Sequence, residues 1–192
     1  FLLVANLKPI DKGKMIIDGN ERVINARLSD AQFFWNKDLK NNFQNEKKKL
    51  EKLIFHSEIG SVLEKTLRLK TLVNFLSEGL KNNEKKHLLA AADLCKNDLV
   101  SETVREFPNL QGIMGKYYIS NSGLNIEVAK AVQNHYKPQG PADDIPNTLL
   151  SMRLSIADKI DSLVGFFIID KNPTGSKDPF ALRRTALGVI RV

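Results

Sequence analysis

Between Ser29 and Ile169, apolar residues return at helical spacing in segment after segment, and the breaks between segments are short. Each such helix has one apolar stripe to bury, and a run of them buries all the stripes at once by packing helix on helix. Ser29 or Asp30 stands where a cap is expected, before a helix carrying Phe33, Phe34 and Trp35. Lys40 to Phe55 sets Phe43, Leu50, Leu53 and Ile54 among lysines, the pattern of an amphipathic surface helix. Ser57 to Leu80 continues with Ile59, Leu63, Leu67, Val73 and Leu76. His87 to Val104 is richer in apolar residues (Leu88, Leu89, Ala91, Ala92, Leu94, Leu99) and reads as a buried central helix. Gly112 to Tyr118, Ile126 to Tyr136 and Pro146 to Ile169 follow, with Pro138, Gly140 and Pro141 in the loop before the last. The expected fold is mainly α.

The first residues differ. Phe1 to Leu7 and Met15 to Ile17 are short apolar runs divided by Pro9, Gly13 and Gly19, which reads as strands and turns. Residues 1–28 are therefore expected to be the end of a preceding domain and a linker entering near Asn20, and residues 29–192 a helical domain. Phe1 to Ala5 is too short for a signal peptide and reads as a strand cut from a larger protein.

Charge narrows the partner. Lys and Arg outnumber Asp and Glu by 29 to 22, a net charge of +7 that favours an anionic partner, nucleic acid first. No apolar run is long enough to cross a bilayer, and a single cysteine, Cys95, excludes an internal disulfide and fits a reducing cytosol. The basic residues fall in groups: Lys47, Lys48, Lys49 and Lys52; Lys81, Lys85 and Lys86; and Lys177, Arg183, Arg184 and Arg191. The first group reads as a solvated face, the last as the nucleic-acid contact. Arg183 and Arg184 project about 100° apart on a helix, so one is expected to meet phosphate while the other pairs with Asp178 or Asp161.

Three ordered blocks carry a family resemblance. They are Gly19 to Ala31 (GNERVINARLSDA), Glu106 to Gly115 (EFPNLQGIMG) and Pro173 to Arg184 (PTGSKDPFALRR). Together they resemble the β subunit of bacterial tetrameric glycyl-tRNA synthetase. The last block opens with a turn at Pro173 and Gly175 and becomes helical from Phe180, beyond Pro179. That helix reaches the final residue without a polar tail or cap, which reads as truncation. In the middle block Phe107, Leu110, Ile113 and Met114 are expected to seal the bundle, while Pro108, Gly112 and Gly115 shape the turn. Gln111 is its polar candidate for touching a base edge or a backbone carbonyl.

The chain also resembles the HD-superfamily scaffold, an all-α bundle in which histidines and aspartates hold a divalent metal. By that resemblance Lys65 lies at the first histidine position, Asn97 and Asp98 at the His-Asp dyad, and Asp158 at the last aspartate. The chemistry has decayed at these positions. An ammonium cannot coordinate a cation, Asn97 is a weak neutral ligand, and only two carboxylates remain. Asp98 and Asp158 are expected in helix caps or in an ion pair with Lys65, with no metal bound and no catalytic residue in this chain.

Other candidates are weaker. His56, His87 and His135 lie out of helical reach of one another and read as packed or surface residues. Cys95 sits on an apolar helix with only Lys96 as a basic neighbour and reads as core. Thr174 to Lys177 lacks the glycine spacing of a phosphate loop, though amides at the following helix start remain available to a phosphate.

The resemblance implies a non-catalytic HD-like helical domain of a cytoplasmic glycine–tRNA ligase, preceded by the end of an editing-like domain. The domain would assist tRNA(Gly) binding at the acceptor arm. The alpha subunit of an α2β2 tetramer would hold ATP and Mg and attach glycine, so the chain alone would need no cofactor and would not aminoacylate. Two alternatives stand beside this: an active HD-type nucleotide phosphohydrolase, and a subunit-interaction module without tRNA contact.

Overall fold

The computed structural model describes residues 1–6, 8–41 and 43–192. Its elements run α1 (Lys14–Asp38), a 3-10 stretch (Phe43–Lys52), β1 (Ile54–His56), β2 (Gly60–Ser61), α2 (Val62–Leu76) and α3 (Asn82–Leu94). Then come a 3-10 turn (Asn97–Val100), α4 (Glu102–Glu106), another 3-10 turn (Pro108–Leu110), α5 (Ile113–Asn121), α6 (Ile126–Asn134), α7 (Leu149–Ile168) and α8 (Leu182–Arg191). The fold is mainly α, as the periodicity predicts.

Helix α7 is the axis of the bundle. It packs against α2, α3, α6 and α8, and it buries charged residues as well as Leu150, Leu154, Ala157 and Phe166. Leu69 and Val73 from α2, Leu88, Ala91 and Ala92 from α3, and Val128 and Val132 from α6 meet Leu154 and Ala157 in the core. Local chemistry sets the helix starts. Ser61 and Glu64 form a reciprocal capping box on α2, with Ser61 N–H donating to Glu64 at 2.7 Å. Thr148 caps α7 and Asn125 caps α6 through their side-chain oxygens.

The N-terminal expectation needs correction. Met15 to Ile17 lie in α1, and no strand occurs in residues 1–6; Leu7 lies outside the described residues. Asp11 explains the helix start, because its carboxylate accepts from the Gly13 and Met15 amides at 3.0 and 2.8 Å. Ser29 and Asp30, read as caps, stand inside this 25-residue helix. Strands appear instead at β1 and β2, joined by a turn at residues 57–59, with Gly60, at φ +109°, opening β2 opposite His56. The segment read as helix from Lys40 to Phe55 is 3-10 and then strand, with Phe43 and Leu50 buried. The long helix read across His87–Val104 is broken after Leu94, because Ser101 caps a separate α4.

One carboxylate joins α1 to the bundle. Asp38, at the end of α1, accepts from the Glu102 and Thr103 amides at 3.0 and 2.9 Å, from the Thr103 hydroxyl at 2.6 Å and from the Tyr118 hydroxyl at 2.8 Å. It thereby caps α4 from a distant part of the chain. Trp35 stacks on Tyr118 with ring centroids 5.5 Å apart. The middle block behaves as expected at its glycines. Gly112 holds φ +76°, and a Cβ on Gly115 would come within 2.7 Å of Val132 Cγ1, so α5 and α6 approach closely. Met114 is buried and Leu110 packs on the core, whereas Ile113 is exposed and seals nothing.

Candidate functional site

The HD-like positions divide into two places. Lys65 on α2 and Asp158 on α7 come together: Lys65 Nζ lies 3.3 Å from Asp158 Oδ1 and 2.9 Å from Asp161 Oδ2. The same ammonium donates to the Ser162 hydroxyl at 2.8 Å and faces the Phe55 ring at 4.6 Å. Asp161 is also held by Arg68, whose Nε and Nη2 donate at 2.6 and 3.2 Å. Lys65 and Arg68 on α2, and Asp158 and Asp161 on α7, are each three apart and share a helix face.

Asn97 and Asp98 turn elsewhere. Asn97 donates to the Phe43 carbonyl at 3.0 Å. Asp98 accepts from the Gly112 and Gly115 amides at 2.6 and 3.1 Å. Asp98 is therefore a cap on the glycine turn and does not pair with Lys65. Burial pushes its carboxyl up to about 6, although the two amide bonds pull it down.

Lys96, adjacent to these positions, takes the place beside Asp158 that the resemblance assigned to Asn97. Its Nζ lies 3.0 Å from Asp158 Oδ1, 2.8 Å from His135 Nε2 and 3.9 Å from the Tyr136 ring centroid. His135 Nδ1 lies 2.6 Å from the Val132 carbonyl, which can only accept. The proton is thus on Nδ1, and Nε2 accepts from Lys96. Burial, with the Lys96 ammonium beside it, pushes this imidazole down to about 3 and keeps it neutral. Burial alone would raise the Asp158 carboxyl, but Lys65 and Lys96 override it and hold the group well below its ordinary value. Sequence reasoning left Lys96 and His135 without roles, because the contact joins segments 39 residues apart.

This donor set does not fit a divalent metal. A cation approaching Asp158 would meet two fixed ammonium groups. Among the described residues no three His, Cys, Asp or Glu side chains are arranged to hold a metal ion. Cys95 is fully buried and burial pushes its thiol up to about 12, so it remains protonated core.

The second candidate region is the C-terminal basic block. A cavity of about 580 Å³ is lined by Pro138, Gly140, Pro141, Asp178, Leu187 and three arginines, Arg183, Arg184 and Arg191. Arg191 donates to the Gly140 and Asp143 carbonyls at 2.8 and 2.9 Å, and Arg183 to the Gly175 carbonyl at 2.7 Å. These neutral partners fix the guanidinium groups without cancelling their charge. Arg184 and the Lys177 ammonium have no hydrogen-bond or ion-pair partner among the described residues, and both side chains are exposed. The expected side-chain pairing of Arg183 or Arg184 with Asp161 or Asp178 is not found among the described residues. Asp161 is engaged by Lys65 and Arg68, and Asp178 accepts from the Leu182 and Arg183 amides at 2.8 and 3.0 Å. Those amides at the start of α8 are thus taken by an internal carboxylate and are not open to a phosphate. Gln111 is exposed, at the rim of the α5 turn. In the other lysine groups, Lys47 and Lys70 both pair with Asp93, and Lys49 pairs with Glu46.

Fold and site define a class: a mainly helical domain with its buried charges locked in ion pairs and a separate arginine-lined cavity at its last helix. Comparison with known proteins narrows this. The family described as glycyl-tRNA synthetase beta subunit matches residues 1–192. Proteins named glycine–tRNA ligase beta subunit are 47% identical in Phenylobacterium zucineum, 48% in Rickettsia canadensis and 45% in Rhodospirillum centenum, each across 100% of this chain. The chain belongs to the glycyl-tRNA synthetase beta subunit family. It spans 27–29% of the length of these relatives.

Proposed function

We propose that this chain is a non-catalytic, HD-like domain of a glycine–tRNA ligase beta subunit that helps hold the acceptor arm of tRNA(Gly), mainly through phosphates. In this reading residues 1–28 end a preceding editing-like domain, and residues 29–192 form the HD-like domain. The alpha subunit of an α2β2 assembly, in the cytoplasm, binds ATP and Mg and attaches glycine. The observation that carries the tRNA reading is the arginine-lined cavity, with Arg183 and Arg191 held open by carbonyl partners and Arg184 unpartnered. Phosphate is the ligand that several uncompensated guanidinium groups recognise best. Phosphate contacts position nucleic acid without reading its sequence, so the isolated chain binds weakly and discriminates poorly.

The test is a salt-dependent titration with tRNA(Gly), a tRNA of another specificity and an acceptor-stem minihelix. Arg184→Ala or Lys177→Ala lowers the salt slope by about one per lost phosphate contact and weakens all three RNAs alike. Arg183→Ala is a poorer probe, because its side chain also ties down Gly175. In the whole enzyme Arg184→Ala reduces charging of tRNA while sparing glycine-dependent ATP–pyrophosphate exchange. Equal loss of both would mean that Arg184 supports assembly or folding, and the tRNA reading would fail.

A second reading, subunit interaction, draws on α1. Met15, Ile17, Val23, Leu28 and Phe33 are exposed on more than one side of it, apolar side chains that a protein partner would cover. Binding to the alpha subunit without binding to tRNA would favour that reading. Phosphohydrolase activity is disfavoured by the two ammonium groups on Asp158.

A further inference from the structure

A smaller cavity, of about 280 Å³, adjoins the arginine-lined one and shares Pro138, Ala181 and Arg184 with it. It lies between α7 and the start of α8, where Tyr136, Gln139, Lys159, Ser162, Phe180 and Thr185 line it. Much of its charge is already engaged. Lys159 donates to the Tyr136 and Lys137 carbonyls and to the Ser155 hydroxyl, at 3.2, 2.8 and 2.8 Å, which uses all three ammonium protons. Asp158, at the same wall, is held by Lys65 and Lys96. Among the described residues, groups left for a ligand include the Phe180 ring, the Gln139 side-chain amide, the Tyr136 hydroxyl and the Arg184 guanidinium.

Phe180 is built as a platform. Phe166 stacks on it with centroids 4.2 Å apart, and the His56 ring meets it edge-on at 5.7 Å. With that support it is still 37% exposed. A supported aromatic ring accepts a base by stacking, and an amide offers one donor and one acceptor to the base edge. A guanidinium shared with the larger cavity leads the attached phosphate towards Arg183 and Arg191. The volume is at the low end for small-molecule sites, enough for one nucleoside and too small for a stacked pair. We propose that this cavity takes a single unpaired nucleotide of RNA, its base against Phe180 and its phosphate on Arg184. The proposal rests on the RNA-binding reading above and adds to it a place for a base. An acidic peptide would use Arg184 and leave the ring idle.

The test compares binding of the chain to a short blunt RNA duplex, the same duplex with a one-nucleotide overhang, and the same overhang made abasic. The overhang is expected to bind about tenfold more tightly than the blunt end, within the range of one stacked base. The abasic form loses the stacking gain and keeps only what its phosphate contributes on Arg184, and a fluorescent purine placed in the overhang is quenched on binding. Phe180→Ala removes the gain and leaves affinity for the blunt duplex unchanged, whereas Arg184→Ala weakens every probe. The abasic comparison uses the unaltered protein and therefore does not depend on how the variants fold. Equal affinity for blunt and overhanging RNA, or a gain undiminished by loss of the base, overturns the proposal and spares the phosphate reading. Absence of binding to all three RNAs overturns both.

Discussion

Asp158 takes two ammonium groups on one carboxylate oxygen, one from α2 and one from the turn that follows α3. Such a cluster is a specificity device more than a source of net stability, because removing the charges from water offsets most of their attraction. Breaking it is costly. Asp158→Asn leaves Lys96 buried with His135 and Tyr136 as its partners, and is expected to destabilise the chain by about 3–5 kcal/mol in urea unfolding at neutral pH. The pH dependence has a definite sign. The folded carboxyl is depressed below its unfolded value of 3.8, so its contribution is present above that pH and is lost as pH falls below it. The gap between wild type and Asp158→Asn therefore stays constant near neutrality and narrows below about pH 4. A gap that widens on acidification would show that Asp158 is not held as its anion.

At the scale of elements, helix contact depends on what is missing from a side chain. Gly115 lets α5 lie against α6 and leaves its amide open to Asp98, and its absent Cβ would stand 2.7 Å from Val132 and 3.2 Å from Asp98 Oδ2. Gly115→Ala is expected to cost about 1–3 kcal/mol, as overpacking does, read as a lowered urea midpoint. Gly19 is the control. It lies inside α1 with nothing within 4 Å of a built Cβ, so Gly19→Ala is neutral or stabilises that helix by up to about 1 kcal/mol. If both changes behave alike, the close α5–α6 approach is not what Gly115 serves.

At the scale of the molecule, the two ends of α1 differ. Its last turns are tied to the bundle by Asp38 and Trp35, whereas Lys14 to Leu28 bury no side chain fully. Helices in water take most of their stability from tertiary packing, so this stretch should open locally at low cost. Amide hydrogen exchange is expected to be fast from Lys14 to Leu28 and slow along Leu154–Phe166 of α7, by orders of magnitude. Exchange in a full-length beta subunit would show whether the exposed apolar side chains of α1 gain cover there. Uniform protection along α1 in the isolated chain would contradict this view.

Periodicity determined that the chain is mainly α and placed α5, α6 and α7 to within a few residues, because burying an apolar stripe is a local demand written into i, i+3 and i+4 spacing. Helix α2 was read from Ser57, where the hairpin turn and its second strand stand instead. The ion pair between Lys65 and Asp158 was legible only through the HD-scaffold resemblance, which set the two positions side by side and also expected Asp98 there. The N-terminal helix was misread because Gly13 and Gly19 look like breaks, while the Asp11 carboxylate that starts α1 acts through two amide bonds. Tertiary structure alone decided that Lys96 and not Asn97 faces Asp158, that His135 is neutral, and that Asp98 caps the Gly112 turn. It also left Arg184 without a partner among the described residues, whereas Asp178 closes the α8 start by a local contact with the Leu182 and Arg183 amides. The Lys96, His135 and Asp98 contacts are choices of hydrogen-bond partner between segments distant in sequence. Nothing in local spacing encodes such a choice; it follows from which buried polar groups the packed helices leave within 3 Å of one another.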